Sequence, residues 1–348
     1  MPPSPQKRFR HRLLLVGLGV LLACLIVGAA GLGFIHITPG QVSRIIAWRL
    51  GASPDLVGGL DPLFRQVVLE VRLPRILTAA VVGGGLALAG VVFQGILLNP
   101  LADPFTLGVS SGAAFGAAVS LWLGLNFLGP YTVGLLAFLG AVVTLLVVLA
   151  LSTVRGQTSP NHLILSGVIV AAILSAGISF IKYLADEQVS VIIFWLMGSF
   201  VSKTWVDLGL TLAVTSLGFL VCLFYARDLN ILSLGNRSAQ ALGVETKKVR
   251  LTLLITASLV SAVCVSVSGI IGFVGLLIPH LMRFLVGPDN RLLLPASALA
   301  GALLLLAADT VTRAALPHEV PIGVLTALIG GPFFCYVFRL KQLGRSHA

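Results

Sequence analysis

Apolar positions along this chain come in long unbroken runs, not at every second or every third to fourth position. The runs occupy about 13–35, 76–97, 105–125, 131–153, 163–184, 205–225, 251–270, 271–287, 292–313 and 320–338. Most are close to the roughly 20 residues that a helix needs to cross the hydrocarbon layer. They are rich in Leu, Val, Ala and Gly and apolar on all sides, so each can satisfy its backbone amides within one helix. The short alternating strands of a membrane β-barrel do not occur. The pattern predicts an all-α, polytopic transmembrane bundle of about ten helices. It forms one membrane domain over residues 1–348, with spans from 13 to 338. The least defined boundary lies within 251–287, where two spans abut with almost no polar loop.

The connectors carry their own signals. Residues 36–75 hold Pro39, Pro54, Pro62 and Pro74 with mixed charge and predict an outer segment with a short surface helix. Asn99-Pro100-Leu101-Ala102-Asp103-Pro104 is a tight inner turn stiffened by two prolines. Between spans five and six, Val191–Phe200 is too short to cross and too apolar for open water, which suits an interfacial or re-entrant helix. The longest inner loop, 226–250, reads as two short helical pieces broken at Gly235 and Gly243. It is either a solvated basic loop or a docking segment. In span three, Gly108, Gly112, Gly116, Ser120 and Gly124 lie four apart and so share a helix face. Gly323, Ala327 and Gly331 repeat the device in the last span. Such a face lets another backbone come close, as plain packing or as the wall of a pathway.

Composition sharpens the class. Only 10% of residues are charged and the mean hydropathy is +1.04, where soluble domains carry about a quarter charged residues. The net charge of +11 invites a nucleic-acid reading, but its distribution argues otherwise. Lys7, Arg8, Arg10 and Arg12 precede the first span. Arg227, Arg237, Lys247, Lys248 and Arg250 fall in or beside one loop, and Arg339, Lys341 and Arg345 follow the last span. An even number of spans puts all three clusters on one side. By the positive-inside rule, both termini are then cytoplasmic. The run from Leu13 to Ile35 is too long for the about 7–15 apolar residues of a secretory signal and reads as a retained span. Cys24, Cys222, Cys264 and Cys335 all lie within spans, without metal or disulfide spacing, and read as small packing residues.

A catalytic constellation is missing. The phosphate-cradling GxxxxGK[ST] does not occur, nor do HExxH, paired catalytic carboxylates or a Cys/His cluster. His162 and His280 fall near the inner face, and His36 and His318 near the outer. No second ligand stands at a useful spacing, so no metal or cofactor is expected on this chain. The span cores are almost bare of charge. Asp309 is the nearest exception, four residues before Arg313, a geometry for a local pair near the outer end of its helix. A membrane enzyme would need a polar cluster at one face. An ion-coupled secondary transporter, the alternative transport reading, would place acids or histidines inside its spans. The chain is therefore passive, or a partner drives it.

Six stretches resemble one family. Arg72-Leu73-Pro74-Arg75 is similar to its R-[LI]-P-R signature, and GGGLALAGVVFQGILLNPLADPFTLGVSSGA (83–113) to its longest motif. FWLMGS (194–199), LSLGNRSAQALGV (232–244), GIIGFVGLLIPHLMR (269–283) and EVPIGVLTALIGGPFF (319–334) follow in the family's order. Val320 and Ile322 replace the commoner Leu and Val of the last motif. The chain thus resembles the FecCD permeases of ATP-binding-cassette importers for ferric siderophores, heme and vitamin B12.

That resemblance implies a type II importer permease with ten helices per subunit. It implies a homodimer with one path at the two-fold axis, set in the cytoplasmic (inner) membrane. Two ATP-hydrolysing subunits, which would use ATP and Mg, dock below, and an extracytoplasmic substrate-binding protein docks above. Arg72, Arg75 and Arg313 match outer arginines that orient the binding protein, although lipid headgroups or helix ends could also hold them. Asn99 and Leu101 match the cytoplasmic gate, and Asn161 falls near a second gate position. Leu234, Gly235, Ala239, Leu242, Gly243 and Val244 match the segment coupled to the ATPase. Gly108 and Gly112 fall within the longest motif and Gly116 lies just beyond it; Pro279 and His280 match the signature at 269–283, where Pro279 would kink its helix. Ferric siderophore is the first choice of cargo, with heme and cobalamin next.

Overall fold

The computed structural model describes residues 5–33, 35–154, 157–314 and 319–345. In chain order the helices are α1 (Pro5–Gly31), α2 (Pro39–Arg49), α3 (Pro62–Gln66), α4 (Leu73–Ile96), α5 (Val109–Trp122), α6 (Tyr131–Ser152), α7 (Pro160–Leu184), α8 (Val189–Leu196), α9 (Trp205–Phe224), α10 (Ala226–Leu232), α11 (Asn236–Ala241), α12 (Thr246–Ser268), α13 (Val274–Val286), α14 (Asn290–Ala314) and α15 (Ile322–Arg345). Seven helical stretches are long and apolar enough to cross a membrane, and α5, α13 and the first part of α15 are shorter apolar helices. Together these are the ten apolar runs of the sequence. A two-residue antiparallel ladder pairs Thr153 with Thr158 between α6 and α7.

The predicted outer surface helix is α2. Thr38 caps it reciprocally with Gln41: the Gln41 N–H donates to Thr38 Oγ1 (3.3 Å) and the Thr38 N–H to Gln41 Oε1 (2.9 Å). Pro39, with no N–H to leave unpaired, stands at the first helical position. A single π-helical turn, Val67–Arg72, leads from α3 into α4. The apolar piece between spans five and six is α8, eight residues long and too short to cross.

Helix α4 is the centre of the bundle. Of its most apolar window 89% lies inside the protein, against 11% for the peripheral α1. It packs against α14, α12, α9 and α13. Small residues make this possible: a side chain on Gly83 would run into the Gly301 carbonyl of α14, and one on Gly301 into the Gly83 carbonyl. The same close approach joins α5 to α6 through Gly112 and Gly140, with Gly116 against the Leu136 carbonyl. The stripe predicted in span three packs against α6 at Gly112 and Gly116.

Its two ends correct the expectation. Helix α5 runs only from Val109 to Trp122. Gly108 and Gly124 stand outside it with φ +73° and +61°, supplying left-handed turns. The doubtful boundary within 251–287 resolves as a break: α12 ends at Ser268, Gly269 and Phe273 take φ +72° and +67°, and α13 is only 13 residues long.

Replacing Gly112 by Leu puts side-chain atoms onto the Gly140 carbonyl and Thr144. It should destabilise the fold by about 1–3 kcal/mol or more, read as a lower Tm and a smaller folded yield in detergent.

Candidate functional site

The three outer arginines are engaged inside the protein. Helix α1 ends with carbonyls that have no helical donor. Arg72 donates to Ala30 O (2.8 Å) and Ile35 O (2.6 Å). Arg313 donates to Ala29 O (2.7 Å) and Leu32 O (2.8 Å). Two guanidinium groups from distant parts of the chain thus close the C-terminal end of α1, where positive charge also suits the helix dipole. Arg72 is buried as a result. The expectation of free, exposed rim arginines does not hold for it.

Arg75 forms the ion pair that Arg313 was expected to make. It binds Asp309 through Nη2 (2.9 Å) and Nε (3.1 Å), and Glu319 through Nη1 and Nη2 (both 3.1 Å). The Asp309 side chain is 2% exposed and that of Arg75 11%, whereas Glu319 is 45% exposed. A carboxylate buried this deeply requires a charged, forked partner. Arg75 supplies it from across the bundle while Arg313 turns to α1. His318 lies outside the described residues; His36 is exposed. Among the described residues no group of three His, Cys, Asp or Glu could hold a metal.

Below this rim, three stretches that leave the helical conformation are stitched to one another. The Ser199 N–H donates to Ser268 O (2.8 Å), the Ile322 N–H to Gly198 O (3.2 Å), and the Gly323 N–H to Met197 O (3.0 Å). A side chain on Gly198 would strike the Ile270 carbonyl and one on Gly323 the Met197 carbonyl. The three sequence motifs at 194–199, 269–283 and 319–334 therefore meet at one place. Beside this seam opens a groove of ≈ 590 Å³, lined by Phe105, Met197, Ile270, Phe273, Val324 and Leu328 among others. Every lining side chain is apolar, so a solute there meets only carbon, a thioether and backbone.

On the side where the basic loop lies, Asn99 folds its own turn: its Oδ1 accepts from the Leu101 N–H (3.0 Å), and its carbonyl from the Ala102 N–H (3.1 Å). Leu101 is left exposed. Asn161 is exposed at the start of α7, beside the Ser159 cap, and no hydrogen bond joins it to Asn99 among the described residues. Sequence reasoning missed Asp103. It pairs reciprocally with Thr106 (Thr106 Oγ1 donates at 2.9 Å, and the Asp103 N–H donates at 3.1 Å), and this fixes the loop entering α5. Burial pushes the Asp103 carboxyl above the usual carboxylate range, against donations from Thr106 that pull it down. The Asp-x-x-Thr spacing was the available signal.

The 226–250 loop forms the two predicted pieces, α10 and α11. Gly235 (φ +98°) and Gly243 (φ +82°) punctuate it. A Cβ on either would meet nothing within 4 Å, so glycine is there for its backbone angle, not for space. Ala239 is buried, while Leu234 and Leu242 project at 65% and 62% exposure. Val244, Lys247 and Lys248 line a shallow groove of ≈ 530 Å³ next to them. Arg250 Nη2 holds Asn236 Oδ1 (2.9 Å), and Asn230 Nδ2 holds Asp289 Oδ1 (2.7 Å), which ties the loop to α12 and to the start of α14. The Asn230–Asp289 link carried no sequence signal.

Comparisons with known proteins follow the same lines. The profile of the FecCD transport family matches residues 11–340. The molybdate import system permease protein MolB of Haemophilus influenzae is 41% identical over 95% of this chain and 97% of its own. The hemin transport system permease protein HmuU of Yersinia pestis is 37% identical over 97% of this chain and 99% of its own. A metal-chelate type ABC transporter in an inward-facing conformation superposes with a TM-score of 0.82 at 38% identity, covering 93% of this chain and 98% of the other.

Arg75→Ala leaves Asp309 buried without its partner and should cost about 3–5 kcal/mol. Glu319→Gln removes only an exposed arm of the pair and should cost about 0–1 kcal/mol. Thermal unfolding of the two variants in detergent separates them, with Arg75→Ala far the lower.

Proposed function

The chain belongs to the FecCD transport family, and from that premise we propose how this ABC importer permease is assembled and what it carries. As a multi-pass membrane protein with no nucleotide-binding motif, it takes its energy from partners. Two copies form the path. Two ATP-binding subunits, using ATP and Mg²⁺, dock on the 226–250 loop, and an extracytoplasmic binding protein delivers cargo to the opposite face. The protein sits in the cytoplasmic (inner) membrane with both termini cytoplasmic, as its basic clusters favour.

The observation that carries this reading is the inner loop. Leu234 and Leu242 are large exposed apolar side chains in the turns that flank α11, each just before a glycine of positive φ, beside Lys247 and Lys248. Apolar anchors next to like charge suit a protein partner. Movement of that partner would pass to the Asn99–Asp103 turn and Asn161, the proposed gate, through α12 and α4.

The cargo in this reading is an iron complex, a ferric siderophore first and heme or cobalamin next. The all-apolar groove supports this choice. A chelate shows carbon at its surface and passes such walls, while a small oxyanion of the kind named for the Haemophilus relative would lose its water there without replacement.

Reconstitution with the ATP-binding subunits tests the assembly. Binding protein loaded with ferric siderophore, hemin or cobalamin should raise ATP hydrolysis together with uptake of that one cargo. Hydrolysis indifferent to the binding protein, with uptake that follows an ion gradient, overturns it. Leu234→Asp combined with Leu242→Asp should lower stimulated hydrolysis about tenfold, the loss of two interface anchors, and leave the fold of the chain intact.

A further inference from the structure

Helix α13 contains an interior proline, Pro279, which is buried. In an α-helix the N–H of residue 279 would serve the carbonyl of residue 275. Proline has no N–H, so the Gly275 carbonyl loses its helical donor. A buried carbonyl must find another. Water is no answer here, because Gly275 lies against the central helix: a side chain on Gly90 of α4 would run into the Gly275 carbonyl.

One turn further along α4, Gln94 reaches the same spot. It is 4% exposed. Its Nε2 lies 3.4 Å from Gly275 O and 3.3 Å from Leu276 O. Residue 280 is a histidine and has an N–H for the Leu276 carbonyl, whereas residue 279 has none for Gly275, so the bond that the helix itself cannot make is the one to Gly275. Buried polar side chains are rare in α4: beyond Arg72 at its entry, only Thr78 and Gln94 are buried.

We infer that Gln94 is a positioning residue: its side-chain amide takes the place of the N–H that Pro279 lacks and thereby pins the start of α13 to α4. The segment so held matters for transport. Helix α13 begins directly after the non-helical stretch Gly269–Phe273, and Gly272 and Phe273 of that stretch line the apolar groove. The Phe273 ring lies against Gly330 of α15. Gln94 stands five residues before Asn99 on the helix that leads into the inner turn. One amide therefore couples the groove wall to the helix that carries the proposed gate.

The test is a cycle between Gln94→Leu and Pro279→Ala in the full chain, in nanodiscs. It needs no knowledge of the cargo. Alanine restores an N–H at position 279 and makes Gln94 redundant. The local readout is maleimide labelling of Gly272→Cys, a position where a Cβ meets nothing within 4 Å, after Cys24→Ser and Cys335→Ser remove the exposed native thiols. Gln94→Leu should raise labelling about five- to tenfold, the effect of one unsatisfied buried carbonyl, and lower Tm. Adding Pro279→Ala should cancel both changes. Unchanged labelling in Gln94→Leu, or no cancellation in the double variant, overturns the assignment. If Gln94→Leu alone does not accumulate, recovery of folded chain on adding Pro279→Ala is the expected result, and failure to recover overturns it equally.

Discussion

Backbone amides within a bilayer have no water to turn to, so any residue that leaves the helix there must find its hydrogen bonds in the protein. This constraint organises the bundle. The chain breaks its helices at Gly198, at Gly269–Phe273 and just before Ile322, and those three breaks serve one another through Ser199, Ile322 and Gly323. Where a proline removes a donor inside α13, a glutamine from the central helix stands beside the orphaned carbonyl. The glycines of α4, α13 and α14 belong to the same solution, because a donor on one helix reaches a carbonyl on another only if the two backbones nearly touch.

Charge obeys a related rule. Arg72 and Arg313 close the carbonyl end of α1, the least buried of the long helices, and fasten it to α4 and α14. Arg75 neutralises the buried Asp309 and leaves Glu319 of that network facing outward. The outer rim is thus a braced structure first. The exposed carboxylate there, Glu319, is already held by Arg75.

The polar ends and the apolar middle divide the labour of a transport subunit. The seam of broken helices makes an apolar groove that gives a solute little to bind. The 226–250 loop presents two leucines in the turns on either side of α11, each followed by a glycine of positive φ. Helix α4 lies between these regions: it touches the start of α13, next to the groove, through Gly90 and Gln94 and runs into the Asn99–Asp103 turn.

Features set by neighbouring residues were legible along the chain. The ten apolar runs became helices, the 36–75 segment formed the short helix α2, and Gly235 and Gly243 broke the loop where their sequence placed them, because length and left-handed turns are local properties. The six motifs gave the family for a similar reason, since they are contiguous stretches. What sequence could not assign were choices between partners far apart in the chain. Spacing favoured an Asp309–Arg313 pair, yet Arg75, 234 positions away, forms the bond. Regular spacing also put Gly108 on a helix face, whereas packing ends α5 one residue short of it. The sequence by itself determined the ten apolar runs of a membrane bundle and the glycines that break its 226–250 loop. Only the tertiary structure decided which arginine meets which acid and which amide replaces the one missing at Pro279, because a buried polar group is satisfied by whatever the fold brings within three ångströms or so, and that distance is not written in sequence separation.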